Sequence, residues 1–295
     1  MRIPLSAILL LALAAPAFAA TPINETRPLS PTGNLDISNV KGRIQVRAWQ
    51  RDEVKIEGSL GKGVEKLEIE GDHNNLEIKV RYPNNSRGSE ATELLLTVPM
   101  RANLDITSVA ANVDVQGVAP ASLEIDSVSG DVFVAAAPGE FEANTVSGNL
   151  DATVNSPDVS LDTVSGEITL RGRLNGEIAV ETVSGNINIA VNGERVRKLS
   201  VSTVSGDAGI RTALAGNGRI ELESVSGDLR LVLPRDLSAR VSAETFSGDL
   251  SAPGAQVNRP KVGPGASLQT RYGNGNGNGE ISIETFSGDA ELKLE

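Results

Sequence analysis

Residues 178–189 read Ile178-Ala-Val-Glu-Thr-Val-Ser-Gly-Asn-Ile-Asn-Ile189, and this twelve-residue stretch decides the fold. Apolar residues alternate with polar ones on both sides of the central Val-Ser-Gly, which is the period of a strand with one buried face. The alternation before Glu181 is out of phase with the alternation that contains Val183 and Gly185. We therefore expect two short strands that face one interior and are joined by a corner at Glu181-Thr182, with Val183 and Gly185 pointing inward.

The same frame recurs along the chain. Val-Ser-Gly occurs six times and Phe-Ser-Gly twice, with the repeat glycines at Gly130, Gly148, Gly166, Gly185, Gly206, Gly227, Gly248 and Gly288. Successive glycines are separated by 18, 18, 19, 21, 21, 21 and 40 residues, so the last step is two repeats or one repeat with a long insertion. Phe246 and Phe286 take the place of valine in the last two copies, and we expect them to be buried. Two degenerate copies lie upstream, at 35–46 and 104–115.

A period of about twenty residues with one buried face per strand predicts a solenoid. A single repeat has five or so inward side chains, too few to offset the entropy lost by ordering about twenty residues. Stacked repeats bury one continuous apolar column. The predicted fold class is all-β: a single-stranded parallel β-solenoid, or β-helix, of ~20-residue coils with an N-terminal β-rich cap. Because the coils vary in length, we expect right-handed winding.

Segments outside the repeats differ in character from them. A positive start, an apolar run and a small-x-small site that ends at Ala19 predict a cleaved signal peptide. We therefore expect a periplasmic or extracellular protein. The predicted organisation is a signal peptide (1–19), a polar leader (20–34), a first strand pair with a β-rich N-terminal cap (35–103), and solenoid repeats (104–295) with a flexible insertion (253–280).

Composition limits the partners and the chemistry. The chain has no cysteine, which excludes disulfides, thiolate metal sites and a cysteine nucleophile. The formal net charge of −11 argues against nucleic acid and anionic lipid surfaces, which need a basic patch. No apolar stretch after the signal peptide is long enough to predict a membrane span.

An acidic or amide residue follows each repeat glycine. Stacked at strand spacing, Asp207, Asp228, Asp249 and Asp289 are expected to form a ladder of like charges. Such a ladder either is solvated or recruits a hard divalent cation such as Ca²⁺. No other cofactor is predicted.

The candidate partner-binding residues are positions that break the repeat. Phe133 occupies an outward position of its strand, and Arg259, Lys261, Arg271 and Tyr272 lie in the insertion, which is locally basic on an acidic protein. The insertion is either a tolerated loop or a partner-binding tip.

Repetition argues against catalysis. A catalytic residue is needed once, whereas the Ser and Thr columns occur in every coil and are better explained as hydroxyl ladders that bond the backbone at the corners. We predict no catalytic residue and no enzymatic activity. Pairs of carboxylates suited to sugar hydrolysis leave a polysaccharide-degrading enzyme as an alternative.

The opening strand Asn39-Val-Lys-Gly-Arg-Ile-Gln-Val46 and the eight Val/Phe-Ser-Gly copies carry a family resemblance. Over residues 35–295 the chain resembles the bacterial putative-adhesin domain family of exported proteins, whose members carry tandem T-V-S-G-D-I-x-V units. It is similar, more remotely, to head domains of autotransporter adhesins. The resemblance implies an exported β-helical protein with an adhesive or envelope role, and it carries no catalytic residue to this chain.

The leading hypothesis is an adhesin-like, non-enzymatic interaction protein of the bacterial envelope, an acidic rod that presents its faces or loops to an envelope or cell-surface protein or glycan. The alternatives are a structural or stress-related envelope protein that self-associates, and a β-helical polysaccharide-degrading enzyme.

Overall fold

Successive repeats pair with one another as parallel strands. The computed structural model describes residues 21–84, 88–273 and 278–295, and the predicted signal peptide lies outside them. The strands are β1 (Thr21–Pro28), β2 (Asn34–Trp49), β3 (Glu53–Leu60), β4 (Lys66–Gly71), β5 (Asn75–Arg81), β6 (Thr92–Pro99), β7 (Asn103–Gln116), β8 (Ser122–Ser127), β9 (Val132–Ala136), β10 (Glu140–Thr145), β11 (Leu150–Thr163), β12 (Ile168–Thr182), β13 (Ile187–Val191), β14 (Val196–Thr203), β15 (Ala208–Arg211), β16 (Leu214–Ser224), β17 (Leu229–Leu233), β18 (Ala239–Ser247), β19 (Leu250–Ser251), β20 (Val257–Asn258), β21 (Ala266–Tyr272), β22 (Gly279–Ser287) and β23 (Ala290–Leu294).

Two ladders of strands enclose a single apolar interior, as expected for an all-β, solenoid-like fold. The first ladder holds the strands that lead into each Val/Phe-Ser-Gly corner, and in its middle β8, β10, β11, β12, β14 and β16 follow one another in parallel. The second ladder holds the strands that leave the corner, with β9, β11, β12, β13, β15 and β17 in parallel. Ile, Leu and Val side chains from both ladders form one continuous core cluster.

The corner of each coil lies two residues later than the sequence predicts. Thr182 keeps the inward parity of the strand and is buried, whereas Val183 lies outside and is 47% exposed. The bend runs over Val183-Ser184, and the inward parity resumes at Ile187. The predicted inward position of the repeat valines was therefore wrong, and so was the predicted burial of Phe246 and Phe286, which are also exposed. An inward hydroxyl suits this place because it can bond the corner backbone: Thr145 Oγ1 donates to the Gly148 carbonyl oxygen at 3.2 Å.

At the N-terminal end the chain doubles back outside its own first coil. Both β5 and β6 pair in parallel with β2, on the side away from β7, and together make an extra coil. Beyond it lie antiparallel strands: β4 on β5, and β3 on β6 with β1 on β3. Antiparallel pairing closes the parallel stack at this end, which protects an edge that could otherwise recruit further strands.

The C-terminal end repeats this device. The last strands in sequence, β22 and β23, insert between the coil of β16 and β17 and the coil of β18 and β19. The Phe286 repeat therefore lies between the Val225 and Phe246 repeats, and the order in space differs from the order in sequence. The 40 residues from Gly248 to Gly288 therefore contain the end of one coil, the capping strands β20 and β21, and the start of the coil that inserts before it.

The insertion 253–280, predicted to be a flexible loop, contains the cap of this end. Strand β21 pairs antiparallel with β18, and β20 pairs antiparallel with β21. Ala266 and Leu268 of β21 are buried in the core cluster, which explains why the segment is ordered there. The Gly-Asn run at 274–277 lies outside the described residues. Within the described residues, no helix is long and apolar enough to cross a membrane.

Candidate interaction surface

A continuous column of exposed apolar side chains runs along the corner of the solenoid. We call it the ridge; in stacking order it consists of Val109, Val128, Val146, Val164, Val183, Val204, Val225, Phe286 and Phe246. Each is between 45% and 57% exposed. Eight steps at the strand spacing of about 4.8 Å give a ridge about 38 Å long. At its C-terminal end the rings of Phe286 and Phe246 stack, with centroids 4.7 Å apart and planes 4° from parallel.

Hydrogen bonds between neighbouring corners hold the ridge in place. The Ser184 amide donates to the Val164 carbonyl oxygen at 2.9 Å, and the equivalent bond joins every pair of adjacent coils from Ser129 to Ser226. Several of the serine hydroxyls donate to the same carbonyl, as Ser129 Oγ does to Val109 at 2.9 Å. The backbone is therefore satisfied, and the apolar side chains are left facing solvent.

The repeat glycines permit this close stacking. A Cβ atom on Gly185 would lie 1.9 Å from the carbonyl oxygen of Gly166 in the preceding coil, and the other seven repeat glycines show 2.0–2.2 Å to the equivalent oxygen. Real Cβ atoms do not approach within 3.0 Å. Glycine is thus required by proximity to the next backbone, because none of these eight has a positive φ.

Carboxylates flank the ridge on both sides. The entering column lies two residues before each ridge residue and contains Asp126, Asp162, Glu181, Glu223, Glu284 and Glu244. The leaving column lies three residues after and contains Asp131, Glu167, Asp207, Asp228, Asp289 and Asp249. Neither column contains Lys or Arg. Across the described residues, the salt bridge of Arg259 to Asp249 is the only one that reaches either column.

The leaving column binds backbone amides. Asp228 Oδ1 accepts the Asp289 amide at 2.9 Å, and Asp289 Oδ1 accepts the Asp249 amide at 2.8 Å. Asp207 Oδ1 likewise accepts the Asp228 amide at 2.9 Å, and Asn side chains take the same place elsewhere. The predicted ladder therefore runs in the order 207, 228, 289, 249, and each link uses an acceptor oxygen. Among the described side chains, no group of three or more His, Cys, Asp or Glu could hold a metal ion.

The entering column has a different electrostatic character. Burial, together with the nearby charges of Glu181 and Glu142, raises the pKa of Asp162 above its ordinary value. Burial and neighbouring carboxylates likewise raise the pKa of Asp36, Asp105 and Glu124 on the same ladder towards the N-terminal end. Asp36, Asp105 and Glu124 also line a groove of about 690 Å³. This face thus concentrates negative charge that has little internal compensation.

A second groove lies beside the C-terminal end of the ridge. Its volume is about 800 Å³, and the ridge residues Val204, Val225, Phe286 and Phe246 line it together with Asn258, Pro260 and Ser267. Ser267 pairs with Glu244 and Asn258 pairs with Ser267, so this segment bounds the groove at the end of the stack. Glu223, Glu244 and Glu284 of the entering column also line it. The groove therefore combines apolar side chains with three carboxylates.

The predicted partner-binding residues are dispersed. Phe133 is 40% exposed on β9 of the second ladder, away from the ridge. Arg259 bonds Asp249, and Lys261 and Arg271 are exposed. Tyr272 is half-buried: its hydroxyl donates to the Pro253 carbonyl at 2.7 Å, and burial raises its pKa. The structure does not bring these five into one site.

The ridge is the feature that sequence reasoning missed. The Ser or Thr that precedes each repeat valine is the sequence signal for it. A hydroxyl in that position can bond the corner backbone, which favours the Ser or Thr for the inward place and leaves the valine outside.

Residues 32–293 match one family model along nearly the whole stack of coils. The chain belongs to the Toastrack DUF4097 family.

Solved structures share its fold at low sequence identity. A putative adhesin from Parabacteroides merdae ATCC 43184 is 11% identical with a TM-score of 0.57, and the match covers 92% of this chain and 96% of that one. A putative lipid binding protein from Parabacteroides distasonis ATCC 8503 is 14% identical with a TM-score of 0.53, covering 93% and 97%. A putative adhesin from the same organism is 15% identical with a TM-score of 0.50, covering 92% and 97%. No curated protein matches the chain. The Toastrack family and these structures support the all-β, solenoid-like fold.

Proposed function

We propose that this Toastrack protein is an exported, non-enzymatic, adhesin-like interaction protein of the bacterial envelope that binds a surface partner through the ridge. The observation that carries the proposal is the ridge itself. Nine apolar side chains stay about half exposed in one line, and contiguous exposed apolar surface marks interaction sites in soluble proteins. Structural neighbours that are putative adhesins agree with a role in attachment.

The regularity of the ridge also supports binding over catalysis. Nine successive coils each contribute an apolar Val or Phe contact at the strand spacing, which suits an elongated partner such as an envelope protein or a glycan chain. The export signal predicted at 1–19 and the right-handed winding are parts of this proposal. An envelope location would give the ridge access to such a partner.

Binding to isolated envelope fragments tests the proposal. The variant Val164→Ser/Val183→Ser/Val204→Ser removes apolar surface from the middle of the ridge without touching the core, and Phe133→Ser is the matched control on the other ladder. We expect the ridge variant to bind at least tenfold more weakly than the intact protein and the control to bind equally well. Absence of binding by the intact protein, or equal binding by all three, would refute the proposal.

A deletion of 253–280 is a poor test of binding. It would remove the buried Ala266 and Leu268 and uncover the edge of β18, so a loss of binding could reflect damage to the fold.

A further inference from the structure

We infer that the C-terminal groove and the adjoining ridge bind a basic amphipathic helix, with the apolar stripe of the helix on the ridge and its Lys or Arg side chains beside the carboxylate columns. This inference rests on the proposed function, because it names the partner chemistry of the same surface.

Charge selects a cationic partner. The entering column lines the groove with Glu223, Glu284 and Glu244, and within the described residues none of these three forms an ion pair with a Lys or Arg. Asp228 and Asp289 lie on the other side of the same ridge residues. A partner with cationic groups on both sides of an apolar stripe would complement both columns.

A second copy of the chain fits this surface poorly. Two ridges in contact would bring carboxylate columns against carboxylate columns, and like charges facing each other across an interface oppose association. The net charge of −11 adds to this repulsion. The ridge therefore favours a partner of opposite charge.

The spacing of the ridge favours a helix over an extended strand. From Val204 to Phe246 the ridge makes three steps of about 4.8 Å, or about 14 Å. Three helical turns of about 5.4 Å cover about 16 Å and offer one apolar contact per turn. A strand shows side chains on one face every second residue, so the three steps between four contacts span about 20 Å at roughly 3.3 Å per residue. A helix thus stays in register with the four ridge residues of the groove, and a strand does not.

The groove offers the helix apolar anchors and a polar margin. The stacked rings of Phe286 and Phe246 provide the largest apolar contact, and Ser267 and Asn258, on the rungs beyond Glu244, provide polar side chains at the end of the groove. Helix-in-groove binding uses this combination of apolar anchors and a polar margin.

Calorimetric titration with a designed Leu/Lys amphipathic helix of 18 residues tests the inference, using the intact protein at low salt. We expect saturable binding that weakens at least tenfold in Phe246→Ser/Phe286→Ser and in Glu223→Gln/Glu244→Gln/Glu284→Gln. Phe133→Ser controls for loss of an exposed aromatic residue. Glu65→Gln/Glu70→Gln/Glu90→Gln, in the N-terminal cap, controls for the same change in net charge. Both controls should bind within twofold of the intact protein, and thermal melts should show that all variants are folded.

Two further peptides separate site binding from general attraction. A scrambled peptide of the same composition, with no apolar face, should bind at least tenfold more weakly, and a Leu/Glu peptide should not bind. Equal binding of the scrambled peptide, or equal weakening in the cap control, would overturn the inference. If the Leu/Lys peptide fails to bind while ridge variants still lose binding to envelope fragments, the helix inference fails and the proposed function stands. If envelope binding is also independent of the ridge, both fail.

Discussion

The substitution Gly185→Ala tests the stacking of the corners on which the ridge depends. The added Cβ would lie 1.9 Å from the Gly166 carbonyl oxygen, and a tolerable distance is at least 3.0 Å. The two coils would therefore have to separate by about 1 Å at the corner. That shift would lengthen the hydrogen bond from Ser184 N to Val164 O from 2.9 Å to nearly 4 Å, beyond the range of a hydrogen bond.

The expected cost is about 3 kcal/mol. Overpacking of a close-packed site costs about 1–3 kcal/mol, and each net hydrogen bond lost adds about 1 kcal/mol. This corresponds to more than a hundredfold change in the unfolding equilibrium, at about 1.4 kcal/mol per tenfold.

Urea denaturation followed by circular dichroism measures the effect, with Gly216→Ala as the matched control. A Cβ on Gly216 meets nothing within 4 Å, and its φ is not positive, so alanine there should leave stability unchanged or raise it by up to about 1 kcal/mol. Hydrogen exchange should place the damage in the coils on either side of Gly185, because solenoid repeats are stabilised by their nearest neighbours. Equal denaturation midpoints for the two variants would refute the stacking argument.

Three other variants test separate parts of the structure. Asp228→Ala should destabilise the protein by about 1 kcal/mol in calcium-free buffer because the Asp289 amide loses its acceptor, whereas Asp228→Asn keeps an acceptor oxygen and should match the wild type in thermal melts. Asp162→Asn should raise the melting temperature at pH 7, because a folded-state pKa above the unfolded value makes the charged carboxylate destabilising. The gain should vanish below the ordinary pKa of 3.8, where the carboxyl is protonated in both states. A gain in melting temperature that persists at pH 3 would contradict this cause. Leu268→Ala should cost about 2–4 kcal/mol in urea denaturation if β21 is part of the core, and Gln269→Ala, on the exposed side of the same strand, should be neutral; equal effects would contradict the cap.

The periodicity of the sequence predicts much of the fold. Alternation on both sides of Val-Ser-Gly indicates two strands facing one interior, and the recurrence of the frame indicates parallel stacking, because a single coil buries too little apolar surface. The position of the corner could not be read from hydropathy alone. A valine is a better core residue than a threonine, yet a buried Ser or Thr takes the inward place at the corners, and several of these hydroxyls, such as Ser127 Oγ and Thr145 Oγ1, bond the corner backbone.

The two ends of the stack could not be predicted because the chain reverses there. Repeat spacing orders coils by sequence, and nothing in the spacing shows that the Phe286 coil returns between its two predecessors. The composition of 253–280 is typical of a loop, and the two buried residues of β21 are too few to produce a strand signal.

The position of the corner also decides where the candidate site lies. Inward valines leave only Phe133 and the basic insertion as places for a partner. The structure puts the valine column on the outside, beside the acidic column after each repeat glycine that the sequence does predict.

Single-cysteine labelling tests the central claim, that the ridge is the surface a partner covers. The chain has no natural cysteine, so Val225→Cys on the ridge and Phe133→Cys on the second ladder each carry one thiol at an exposed position. Maleimide labelling rates are measured with and without envelope fragments whose own thiols have been blocked. The account predicts that the fragments slow labelling of Val225→Cys at least fivefold and leave Phe133→Cys unchanged. Unchanged labelling at Val225→Cys, or protection at Phe133→Cys alone, would contradict it.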